Sequence, residues 1–119
     1  MRARRHRRSG RTGLSRPARL ALAVALGVAA TLASSLVRQD TVARYADIDD
    51  CVTGCTVAAA GWPLPYVVDY PGLSPAREAS LSGALLGVDR WRPEALVLDL
   101  LGWTGLAALL GVAYRRLRR

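Results

Sequence analysis

Two stretches of the chain carry almost no polar side chain, and the rest is arranged around them. Ala18 to Val37 reads ARLALAVALGVAATLASSLV, and Ala95 to Tyr114 reads ALVLDLLGWTGLAALLGVAY. Each holds a single charge, Arg19 in the first and Asp99 in the second. Neither run shows an amphipathic period, since apolar residues fall on every side of a helical projection. At ~1.5 Å of rise per residue, each run covers roughly the 30 Å of a bilayer's hydrocarbon. A soluble globule of 119 residues cannot bury two such helices. The pattern predicts an all-α membrane protein. Two transmembrane helices, residues 18–37 and 95–114, form a hairpin joined by a mostly irregular, outward-facing loop over residues 38–94.

Charge sets the expected orientation. Residues 1–17 hold seven Arg and no acid, and residues 115–119 hold four Arg. The connection 38–94 holds five Arg against eight acids. The positive-inside rule then puts both ends in the cytoplasm and the connection outside a prokaryotic plasma membrane. The chain has no Lys, Asn or Phe, a bias typical of GC-rich coding, so Arg in place of Lys carries no information of its own. The head MRARRHRRSGRTGLSRP has no apolar period and is expected to be disordered. It suits an anionic inner leaflet, where each juxtamembrane Arg contributes about 1 kcal/mol. Nucleic acid is the weaker reading, because no aromatic residue interleaves the arginines. His6, the only histidine, is a solvated residue of this head. A signal peptide cleaved after Ala33 is the rival for the first run, although that run exceeds the usual 7–15-residue apolar core. Val52-Thr53-Gly54-Cys55 resembles a lipobox but lies too far beyond Val37 to act as one.

In the connection, Arg38 to Asp50 is polar and either extends the first helix or leaves it as a loop. Tyr70 to Glu94 is rich in turn residues, with a mild apolar patch at Leu81 to Val88. Cys51 and Cys55, the only cysteines, admit three readings. They are a structural disulfide of an oxidising compartment, a pair of exchanging thiols, or a metal site shared with nearby aspartates. Trp62-Pro63-Leu64-Pro65-Tyr66 forbids a helix through its two prolines. Its rings, with Tyr70, suit either a membrane interface or a docking surface for another subunit. Asp99 lies shallowly inside the second run, within reach of Arg90 or Arg92, and shares a helix face with Trp103. Small residues line both runs (Ala21, Ala25, Ala29 and Ala33; Gly102, Gly105, Ala108 and Gly111), as close helix association in lipid requires.

Gly61-Trp62-Pro63-Leu64-Pro65-Tyr66, then Asp69, Pro71-Gly72, Ser74-Pro75, Asp89 and Asp99-x-x-x-Trp103 together resemble a loose group of small prokaryotic two-span membrane proteins. The resemblance covers about residues 60 to 110. It implies the two-span topology and brings no activity with it.

The sequence offers no nucleophile–base pair, no phosphate loop and no paired carboxylates at a plausible site. No catalytic residue, cofactor or metal is expected. The expected function is an accessory or assembly subunit of a larger membrane complex. Its contact residues are Trp62, Pro63, Pro65, Tyr66, Asp99 and Trp103, and its partner is another membrane subunit or a second copy. Two alternatives stand beside it: an outward-facing thiol sensor built on Cys51 and Cys55, and an oligomeric proton or ion pathway around Asp99.

Overall fold

A computed structural model describes residues 13–74 and 77–119. The arginine-rich stretch 1–12, with His6 in it, lies outside the described residues. Helix α1 (Arg16–Ser34) opens at Ser15, whose hydroxyl accepts Ala18 N–H, with Pro17 in the first turn. Helix α3 (Pro93–Leu117) begins on a proline and Glu94 and ends among Arg115 and Arg116, charges that match its dipole at both ends. Both helices are long and apolar enough to cross a membrane.

The two helices pack on each other, with a tight contact at Gly27. A Cβ there would lie 2.8 Å from the Thr104 Cα and closer still to the Thr104 hydroxyl. At Gly27 only the absence of a side chain lets the two backbones come so close. Thr31 and Ser34 follow on the same buried stripe. Their hydroxyls are spent within the helix, on Gly27 O and Thr31 O at 2.8 and 2.6 Å, so burying them strands no donor.

The connection is not the irregular loop that the hydropathy pattern predicts, and the chain is not all-α. It holds a four-stranded antiparallel meander in the order β1-β2-β3-β4. The strands are β1 (Arg38–Ala43), β2 (Cys55–Ala60), β3 (Val67–Val68) and β4 (Arg90–Trp91), with a short helix α2 (Leu81–Leu85) between the last two. The physical reason lies in the β1–β2 register. It sets Thr41 opposite Val57 and Val42 opposite Thr56, so every β-branched residue of the two strands meets another. Polar Arg38 to Asp50 is thus strand, turn and a single 3-10 turn (Asp49–Cys51) rather than an extension of the first helix.

Tyr66 is the centre of the core. It is wholly buried and surrounded by Ala60, Val67, Ala79, Ala84, Ala95 and Leu96. A socket of alanines around one large ring explains how so alanine-rich a segment folds. Replacing Tyr66 by Ala would cost about 3–5 kcal/mol. Trp91 lies nearly parallel to it at 6.4 Å and donates to Ala84 O. On the other face, Ala43, Val57, Ala59 and Val68 pack with Tyr45 and Cys55. The sheet is strongly curled: Arg92, at the β4 edge, reaches Thr41 Oγ1 and Val42 O of the opposite edge strand at 3.2 and 2.8 Å.

Candidate functional site

The segment joining β2 to β3, residues 61–66, does not project into solvent. It folds back along the C-terminal end of α1 and the N-terminal half of α3. Gly61 turns the chain with φ +120, and a Cβ there would strike the Tyr66 ring at 2.5 Å, so only glycine fits. Trp62 N–H donates to Ser34 Oγ at 3.3 Å, and Leu64 N–H donates to Asp99 Oδ1 at 3.1 Å. Tyr66 O–H donates to Thr31 O at 2.6 Å. Trp103 Nε1–H closes the set on Trp62 O at 3.1 Å. Two helices and one hairpin loop are thereby tied at a single level.

All six residues singled out in the sequence are in or beside this junction, in unequal roles. Pro63 and Pro65 belong to the loop, and Tyr66 is sealed in the core, not offered to a partner. Asp99 is 1% exposed and anchors the loop, and its Oδ2 has no hydrogen-bond partner. The two arginines expected near it are engaged elsewhere, Arg92 on β1 and Arg90 over the Tyr70 ring at 4.6 Å. Trp62 remains 49% exposed and meets Trp103 at 5.6 Å between ring centroids. Trp62, Pro63, Gly102, Trp103 and Leu106 enclose an open groove of about 200 Å³. Its floor is bare, because a Cβ on Gly102 would meet nothing within 4 Å. Such a groove has the dimensions of a seat for an apolar side chain or a closely approaching helix.

Cys51 and Cys55 form a disulfide that closes the β1–β2 connection, where Tyr45 N–H also donates to Cys51 O. Cys51 is buried, and neither cysteine is a free thiol. Tyr70 is likewise drawn inward from the interfacial role expected of it. It meets Tyr45 edge-on at 5.0 Å and donates to the Asp47 carboxylate. That hydroxyl holds the Asp47 carboxyl below its ordinary range.

Asp69 and Asp89 stand among the motif residues of the sequence, but nothing there pairs them. Asp69, at the end of β3, and Asp89, before β4, are 2% and 3% exposed, and each keeps one oxygen without a donor. Burial pushes the Asp69 carboxyl up; the Ser74 hydroxyl opposes this, and the neighbouring Asp89 carboxylate adds to it. Burial and a like charge nearby both disfavour the ionised form of Asp69. Twenty residues separate the pair in sequence, with no spacing that could have flagged them. Among the described residues no group of three acidic, His or Cys side chains is placed to hold a metal ion.

Searched against family models, curated proteins and solved structures, the chain finds no significant match.

Proposed function

We propose that the protein is a small integral membrane subunit that acts through protein contacts. In this reading α1 and α3 cross a prokaryotic plasma membrane, both arginine-rich ends face the cytoplasm and its anionic leaflet, and the sheet stands outside. The arginine count on either side of the apolar runs supports the orientation. The observation that carries the functional reading is the groove of Trp62, Pro63, Gly102, Trp103 and Leu106. The Trp103 indole is fixed by its hydrogen bond to the Trp62 main-chain carbonyl and packs against the Trp62 ring, so the groove is built by contacts within the chain. Pre-formed apolar seats bind with little ordering cost. The occupant we assign is a transmembrane helix of another membrane protein, whose backbone can lie against the bare surface of Gly102. The protein then serves as an accessory or assembly subunit for that partner.

The test is a photo-cross-linking amino acid at Leu106 in native membranes. A single defined protein adduct, lost when Gly102→Leu fills the groove and kept when Gly111→Leu is made instead, is the expected result. Adducts to lipid alone, or a protein adduct indifferent to Gly102→Leu, overturn the proposal.

A further inference from the structure

The helices are too short for the loop 61–66 to ride above the bilayer. The loop is bonded to Thr31 and Ser34 of α1 and to Asp99 and Trp103 of α3. Below its deepest bonds, α1 runs twelve residues from Thr31 to Arg19, and α3 runs twelve from Trp103 to Arg115. At ~1.5 Å per residue, each leaves roughly 18 Å of helix. A bilayer's hydrocarbon is about 30 Å thick, and snorkelling arginines recover only a few ångströms of the difference. Two independent helices give the same shortfall.

The loop's backbone N–H groups meet the condition that immersion imposes. Hydrocarbon offers no partner to a backbone N–H, and irregular chain survives at membrane depth only where its polar groups are satisfied by protein. Gly61 N–H donates to Val37 O, Trp62 N–H to Ser34 Oγ, Leu64 N–H to Asp99 Oδ1 and Tyr66 N–H to Ala60 O. Positions 63 and 65 are prolines and have no N–H to satisfy. No backbone N–H in the six-residue segment is left over. Gln39 Nε2 covers the Gly61 carbonyl at 2.5 Å, Trp103 covers that of Trp62, and Arg92 N–H covers that of Tyr66. What the segment shows outward is Trp62, Pro63 and Leu64, with Trp62 and Leu64 about half exposed.

We infer that residues 61–66 form a membrane-immersed wedge, seated in the outer leaflet with Trp62 and Leu64 against lipid acyl chains. This inference rests on the two-span reading above. Asp99 is then the residue that lets the wedge enter: it supplies the acceptor for the Leu64 N–H, the one donor in the loop that neither backbone nor serine satisfies.

The experiment is depth-dependent fluorescence quenching in vesicles of phosphatidylcholine brominated at either of two depths along its acyl chains. Trp62 is kept as the sole tryptophan by Trp91→Phe and Trp103→Phe. A second chain carries Trp62→Phe as well, with Leu109→Trp as a mid-span reporter. Trp91→Phe alone, which leaves the Trp62–Trp103 pair whole, serves if the sole-tryptophan chain does not fold. The expected result is loss of Trp62 emission to bromines near the headgroup end, with little loss to aqueous iodide, while the Leu109→Trp reporter is lost to the deeper bromines. If that reporter is quenched by bromines and Trp62 only by iodide, the wedge is overturned and the spans stand. If neither is quenched by bromines, the membrane reading and the wedge fall together.

Discussion

Adding one methyl group at Gly27 tests the helix packing directly. In Gly27→Ala the new Cβ would sit 2.8 Å from the Thr104 Cα. Carbon atoms in contact settle at about 3.5–4.0 Å, so the two backbones must part by about 1 Å. A gap of that size forfeits a quarter to a half of the dispersion energy of each contact it opens. Rotating the Thr104 hydroxyl away does not help, because the Cα cannot move without its helix. Overpacking of this kind costs about 1–3 kcal/mol. Gly105 and Gly111 make the control, since a Cβ at either meets nothing within 4 Å. There Ala should be neutral or stabilise by up to about 0.5–1 kcal/mol, through lower backbone entropy in the unfolded chain. Equilibrium unfolding in detergent micelles, followed by far-ultraviolet circular dichroism, gives all three values. Gly27→Ala unfolding at the same denaturant concentration as Gly105→Ala would refute the close approach.

Three further outcomes follow. Asp99→Ala removes the acceptor of Leu64 N–H and should destabilise by about 1–3 kcal/mol, with a shift in the tryptophan emission as the Trp62–Trp103 pair loosens. Asp99→Asn keeps an acceptor and should cost less, and equal effects of the two would count against the anchor. Asp69 has a carboxyl raised by burial. Its contribution therefore favours the fold at acid pH and turns against it as pH rises above the ordinary carboxylate value of ~4. Asp69→Asn should raise the thermal midpoint at neutral pH and leave it unchanged near pH 4, and a variant less stable at neutral pH would show that the charge is needed. Removing the disulfide with Cys51→Ser and Cys55→Ser should cost about 2 kcal/mol, as expected for so short a closed loop. Wild-type stability unaffected by reductant would contradict that.

The helices were legible because an unbroken apolar run is a long, redundant signal: twenty positions agree, and no single residue decides. The sheet was not, for reasons visible in its strands. Two of them are two residues long, too short for any alternation to register. In β2, CTVAAA, three alanines stand where β-branched residues would announce a strand. Those alanines are nonetheless required, since Ala60 forms part of the socket around Tyr66. Trp62, Tyr66, Asp99 and Trp103 were identifiable as unusual residues, yet the bonds they make cross 28 to 41 positions and leave no trace in local spacing. Composition likewise could not distinguish Tyr66 and Tyr70, both buried, from tyrosines at a membrane surface.

The curl of the sheet has a mechanical consequence for the helices. Edge strand β1 is joined to α1 by three residues, 35–37, and edge strand β4 to α3 by Arg92 alone. Three strand intervals of about 4.8 Å would hold flat edges some 14 Å apart, whereas packed helices want 8–10 Å between axes. Curling brings the edges together, and the Arg92 side chain, bonded to Thr41 and Val42, stitches the seam. The helices are hinged to a closed clip with no slack in either arm. They cannot scissor or slide past each other unless that seam opens, so a force that tilts one helix is delivered to the seam as a parting of Arg92 from β1.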